Sequence, residues 1–132
     1  MFEVSVEQVF AAGHALRNYY GKTETVHGHN FKLEVVVEGD HLDSTGLLVD
    51  FIALKRIIND AVMRLDHQFI NDIPPFDELN PSAENLARYF CDEIQSALPQ
   101  SSTDVPVRVA RVKVWEMDGA AATYRPKNTA LR

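Results

Sequence analysis

His27-Gly28-His29-Asn30-Phe31-Lys32-Leu33-Glu34-Val35 alternates with a period of two. His27, His29, Phe31, Leu33 and Val35 fall on one side, and Asn30, Lys32 and Glu34 on the other, the pattern of a half-buried β-strand. The two histidines continue the apolar stripe at its N-terminal end, at the rim of a core. Side chains at i and i+2 share a face of a strand, about 6–7 Å apart along it. Imidazoles placed that way can close on a single zinc ion at about 2.0–2.1 Å each. His14 ends a second strand-like run, Phe10-Ala11-Ala12-Gly13-His14. Three histidine ligands leave one position of a divalent ion open, and an open position separates a catalytic zinc from a structural one.

Upstream, Phe2, Val4 and Val6 alternate with Glu3, Ser5 and Glu7, and a second phase of alternation groups Phe10, Ala12 and His14. Arg17 to Thr23 has loop composition. Downstream, Gly39 to Gly46 is turn chemistry leading to Leu47-Leu48-Val49-Asp50. Phe51, Leu54, Ile58, Val62 and Leu65 then recur at helical spacing, with Asp66-His67 closing that helix. A proline-rich loop, Asn71 to Pro81, precedes Ser82, the N-cap of a second helix with Leu86, Phe90, Ile94 and Ala97 inward. Pro99 to Asp104 is another loop. Val105 to Glu116 is a long strand with Val112, Val114 and Glu116 on one face, and Ala120 to Tyr124 a short strand pairing back on it. This order predicts an α+β fold, a four-stranded antiparallel sheet with two helices on one face. Such a sheet leaves open edges, which closure into a homo-oligomer would remove.

Composition narrows the function. A chain of 132 residues is one domain, and 45% hydrophobic with 24% charged residues is ordinary for a globular protein. A net charge of −6 with no block of Lys or Arg argues against nucleic acid, so a phosphorylated ligand would be a small one in a local basic pocket. Arg17 and Lys22 are candidates for such contacts. Cys91 is the single cysteine, which excludes an internal disulfide, and its helical setting suits a small buried hydrophobe. The first residues carry no basic, apolar leader, and no segment reaches the ~18 apolar residues of a membrane span. A cytoplasmic location with no membrane partner is expected.

Acid–base candidates surround the histidines in sequence. Glu24, three residues before His27, is either a solvated loop glutamate or a general base beside the metal. For a base acting near neutral pH, partial burial would have to raise its pKa. Asp66-His67 is either a helix C-terminal histidine with an acidic neighbour or a polarised proton shuttle. Glu116 ends an apolar strand face, where a carboxylate is at the surface or pairs with a ligand's N–H donors. His41, in a turn, is expected to be exposed.

Several blocks in order resemble the 6-pyruvoyltetrahydropterin synthase / 6-carboxytetrahydropterin synthase family. They are Phe10-Ala11-Ala12-Gly13-His14, His27-Gly28-His29-Asn30, Val49-Asp50-Phe51 with Leu54-Lys55, Leu65-Asp66-His67 with Ile70-Asn71, Asn80 to Ala87, and Val114-Trp115-Glu116. The resemblance implies a tunnelling fold, with trimers closing into a barrel and two trimers stacking into a homohexamer. It implies Zn2+ on His14, His27 and His29, a pterin anchored by Glu116, and a proton relay of Asp66 and His67. One position departs from the family pattern: the catalytic cysteine expected four residues before the His-Gly-His block is Thr23 here. The segment Glu24-Thr25-Val26-His27 resembles instead the variant class with a glutamate three residues before that histidine. That class is associated with cleaving the side chain of 7,8-dihydroneopterin triphosphate to 6-hydroxymethyl-7,8-dihydropterin, a folate precursor. The alternatives are a pyruvoyl- or carboxy-tetrahydropterin synthase (biopterin or queuosine pathway) and a zinc- and pterin-binding homologue without turnover.

Overall fold

A computed structural model describes residues 1–98 and 105–127. One antiparallel sheet runs in the order β1 (Phe2–His14), β2 (His27–Gly39), β3 (Arg108–Met117) and β4 (Ala120–Tyr124). Helices α1 (Phe51–Val62) and α2 (Ala83–Ala97) share one core cluster with the sheet, as the α+β reading expects.

β1 is a single strand. Its even positions keep one parity from Val6 through Phe10 and Ala12 to His14, and the polar residue in that row, Gln8, donates its side-chain amide to Asn59 of α1 at 3.0 Å. On β2, Phe31, Leu33, Val35 and Val37 are fully buried. Phe31 stacks on Phe10 with ring centroids 5.1 Å apart, and Phe10 meets Phe90 of α2 edge-on at 5.6 Å. These three rings tie the two strands that carry the histidines to the helix behind them. At the far end of β2, a Cβ on Gly39 would lie 2.7 Å from Leu48 and 2.8 Å from the Pro106 carbonyl, so only glycine fits.

Two bulges shape β3. Val36 pairs with Arg111 and Val37 with Val109, so the buried set changes parity from Val105, Val107 and Val109 to Val112 and Val114. The strand read from the sequence as Val105 to Glu116 spans Arg108–Met117, with Val105 and Val107 buried ahead of its start. The second irregularity, between Trp115 and Met117 against β4, falls on Glu116, which faces His14 as its alternation with Val112 and Val114 expects.

α1 is shorter than its periodicity suggests. Asp50 caps it by accepting from the Ile52 N–H at 3.3 Å, and Leu54, Ile58, Ala61 and Val62 are its buried residues. Phe51, at the helix entrance, is 47% exposed rather than inward. Leu65 is buried, but past the helix end, where the chain turns on bonds from Leu65 and Asp66 to the Val62 carbonyl. α1 ends at Val62 with Met63 as its C-cap, so Asp66 and His67 do not close it as read from the sequence; His67 lies in the following turn with a positive φ of 59°. α2 begins as read: Ser82 accepts from the Asn85 N–H at 3.1 Å, and Leu86, Phe90, Cys91 and Ile94 are buried. The loop read at Pro99 to Asp104 lies outside the described residues. No helix among those described is long and apolar enough to cross a membrane.

Candidate metal and acid–base centre

His14 pairs directly with His27 across the β1–β2 ladder, and His29 sits diagonally on the same face. Their ring centroids lie 4.6 Å (His14–His27), 5.3 Å (His14–His29) and 4.6 Å (His27–His29) apart. β3 adds Glu116, whose Oε1 is 2.8 Å from His14 Nε2 and 3.7 Å from His29 Nε2. One ligand atom from each of these four residues lies within 4.8 Å of all the others. Three imidazoles and a carboxylate are a donor set suited to zinc.

The state of His14 supports that fit. It is 1% exposed, and its Nδ1 lies 2.8 Å from the Pro81 carbonyl oxygen, so Nδ1 carries the proton and donates. Nε2 is left with a lone pair facing the cluster. Despite the short distance to Glu116, Nε2 has no partner in hydrogen-bonding geometry. The Pro81 carbonyl holds the ring as the outer hydrogen-bond partner of a metal-binding histidine does, with Nε2 aimed at the cluster. Burial also pushes the pKa of His29 down, against the pull of Glu116, which favours the neutral imidazole that a metal needs.

Glu24 approaches from the connection before β2. Its Oε1 accepts the Leu16 N–H at 2.8 Å and lies 3.3 Å from His27 Nε2, while its own N–H donates to the Leu16 carbonyl at 2.9 Å. Its carboxyl is held below the ordinary range. The Leu16 N–H is the main cause; partial burial, next in size, pushes the other way, and His27 lowers it further by a smaller amount. The sequence-based expectation of a raised pKa is therefore reversed, because a backbone donor that sequence cannot reveal outweighs desolvation.

Asp66 and His67 form a pair outside this cluster, beside the edge of β1. Asp66 Oδ1 accepts the Ala11 N–H at 3.0 Å, and Oδ2 lies 2.9 Å from His67 Nδ1. The Ala11 N–H first, and then His67, hold the Asp66 carboxyl down. His67 is 80% exposed in its side chain. A groove of about 390 Å³, with Ala11, Gly13, Gly28 and Asn30 in its walls, carries His29 and His67 together.

Other candidates fall away from the chemistry. The Arg17 guanidinium donates to the carbonyls of Phe76 at 2.8 Å, Asn71 at 3.3 Å and Leu79 at 3.4 Å, so it staples a loop instead of waiting for phosphate. Lys22, Thr23 and His41 are exposed. Cys91 is buried on α2, where desolvation pushes its thiol up to about 11. Sequence reasoning missed Pro81, Asn71 and Asn80, because their partners lie more than fifty residues away.

Known proteins share this arrangement of chain. Residues 3–127 match the family model described as 6-pyruvoyl tetrahydropterin synthase. A dihydroneopterin monophosphate aldolase of Pyrococcus furiosus is 36% identical over 107 residues, covering 81% of this chain and 82% of its own length. A 6-carboxy-5,6,7,8-tetrahydropterin synthase of Bacillus subtilis is 31% identical over 135 aligned positions, covering 98% and 89%. The 6-pyruvoyl tetrahydropterin synthase of Caenorhabditis elegans superposes with a TM-score of 0.77 at 22% identity, over 96% of this chain and 98% of that one.

Proposed function

The chain belongs to the 6-pyruvoyl tetrahydropterin synthase family, and on that basis we propose that it is a zinc-dependent lyase cleaving the side chain of a phosphorylated 7,8-dihydroneopterin. The product is 6-hydroxymethyl-7,8-dihydropterin. The observation that carries this reading is the carboxylate of Glu24, 3.3 Å from His27, in a chain whose one thiol is buried in α2. The aldolase named for the Pyrococcus relative is in keeping with it. The glutamate class that this segment resembles is associated with the triphosphate, whereas the Pyrococcus relative is named for the monophosphate, and both belong in the assay.

His14, His27 and His29 would hold the ion. A zinc ion bound there supplies Lewis acidity that lowers the pKa of the substrate's side-chain hydroxyls. Glu24, ionised at neutral pH, takes the proton from the hydroxyl on the second side-chain carbon. The bond between the first and second side-chain carbons breaks as a carbonyl forms on the second. Its electron pair passes into the ring's imine, and His67, oriented by Asp66, returns a proton to the first carbon. A phosphorylated glycolaldehyde leaves. Glu116 accepts from the N–H donors of the pterin, and its closeness to His14 supports a ring held beside the metal ligands. Copies of the chain join sheet edge to sheet edge into a barrel and then a homohexamer. The exposed Val9 and the short outer strand β4 support that closure.

Zinc-loaded protein incubated with dihydroneopterin triphosphate, and separately with the monophosphate, tests the proposal. Mass spectrometry should find 6-hydroxymethyl-7,8-dihydropterin. A 6-pyruvoyl or 6-carboxy product would refute it in favour of a synthase, and tight pterin binding without product would make the chain a binding protein.

A further inference from the structure

β1 is an edge strand, and beyond residue 10 its free side is occupied. Alternate residues of an edge strand turn N–H and C=O outward. At Ala11 these groups meet Asp66 Oδ1 at 3.0 Å and the His67 N–H at 2.6 Å. The Gly13 N–H meets the Gln68 carbonyl at 3.0 Å. At Ala15 both groups are taken by one side chain: the N–H donates to Asn71 Oδ1 at 3.0 Å, and the carbonyl accepts from Asn71 Nδ2 at 2.8 Å. Asn80 repeats the pattern at Arg17, accepting at 2.8 Å and donating at 2.9 Å. Asp66, His67, Gln68, Asn71 and Asn80 thus cover that side of the chain as a neighbouring strand would, with two carboxamides in place of peptide units, although a 3-10 turn at Ile70–Asp72 lies between them. On the opposite side, Leu16 between them exchanges both of its groups with Glu24.

We infer that Asn71 is a positioning residue for the metal centre, with Asn80 as its second anchor. The inference rests on the zinc-site reading above. His14 and Leu16 flank the Ala15 peptide that Asn71 clamps, so one carboxamide sets both the ligand His14 and the N–H that holds Glu24. Asn71 is 7% exposed and spends both ends of its amide on that one residue. The same loop supplies the Pro81 carbonyl that fixes the tautomer of His14, and Asn85 ties Asn80 in place at 2.9 Å. Loss of the clamp frees the His14 end of β1 while the rest of the sheet keeps its ladder.

The test uses the full chain, with affinity for Zn2+ by competition titration and the visible absorption spectrum of the Co2+ form as readouts besides turnover. Asn71→Leu, close in shape but without polar atoms, should weaken Zn2+ binding about 10–100-fold, the range for loss of support around a ligand, and alter the Co2+ bands. Asn80→Ala, at a half-buried site, should change both in the same direction by less. Ile94→Ala, a core cavity in α2, should lower Tm and leave both unchanged. Zn2+ affinity and Co2+ spectra unchanged in both asparagine variants would overturn the inference. So would an equal loss of affinity in Ile94→Ala, since general loosening would then explain it. If Asn71→Leu does not fold, Asn80→Ala decides by the same readouts. A wild-type chain that binds neither metal would refute the zinc-site reading and this inference with it, whereas a wild type that binds, with asparagine variants equal to it, refutes this inference alone.

Discussion

Replacing Glu24 by glutamine separates the two roles of this carboxylate. Its Oε1 accepts the Leu16 N–H at 2.8 Å and lies 3.3 Å from His27 Nε2. Glutamine keeps an oxygen for Leu16 and removes the charge. A hydrogen bond to a charged group contributes about 1.5–3 kcal/mol and a neutral one about 0.5–1.5. The side chain is 25% exposed, and allowing for that screening the expected loss is about 1 kcal/mol. In a domain of this size that corresponds to about 3–5 °C in Tm. Loss of a positioned general base costs turnover about 10²–10⁴-fold, equivalent to about 3–5 kcal/mol of activation free energy. The measurements are kcat from the rate of 6-hydroxymethyl-7,8-dihydropterin formation and Tm from thermal unfolding. A Gln variant with kcat within about threefold of wild type would refute the catalytic role, leaving Glu24 a structural acceptor for Leu16. The pH profile gives a second check. The carboxyl of Glu24 lies below its ordinary 4.5, so the base is ionised at every pH above that, and Glu24 should contribute no acid limb to the profile there.

Asp66→Asn tests the pair beside β1 through stability. The folded pKa of Asp66 is depressed, chiefly by the Ala11 N–H, so its contribution is present above the unfolded pKa and lost as pH falls through the folded one. The variant should show a shallower fall of stability below about pH 4 in urea titrations, and an unchanged acid limb would remove Asp66 from it. Cys91 is 2% exposed with its thiol pushed up to about 11, so a thiol reagent should label it only after unfolding, and Cys91→Ala should retain product formation. Rapid labelling of folded protein, or loss of turnover in the variant, contradicts its placement. Removing zinc with a chelator should lower Tm in a concentration-dependent way, because a ligand at 100 times its Kd contributes about 2.7 kcal/mol. Equal Tm with and without Zn2+ argues against the histidine site.

The parts legible in sequence were those with a local period. The parity of His14, His27 and His29 placed them on one face because a strand repeats every two residues, and Ser82 announced α2 by its chemistry. What could not be read depends on partners far along the chain. Arg17 had the look of a phosphate ligand until the carbonyls of Asn71, Phe76 and Leu79 were found around it. Leu65 kept helical spacing with Ile58 although the helix had ended, since a buried residue in a turn satisfies the same apolar pattern. The direction of the Glu24 shift hangs on the Leu16 N–H.

The strip of residues 66–80 along β1 also works as a ruler. Where it lies, from Ala11 to Arg17, no strand from another molecule can add to that edge. Phe2 to Phe10 make no backbone hydrogen bond on that side among the described residues, and Val9 is 66% exposed there. A strand of a neighbouring copy that slides along the edge toward the histidines is halted at Asp66. If copies pair along this edge as proposed, the segment that braces His14 would also fix how far they can slip against one another, and chemistry and assembly would share a single stop.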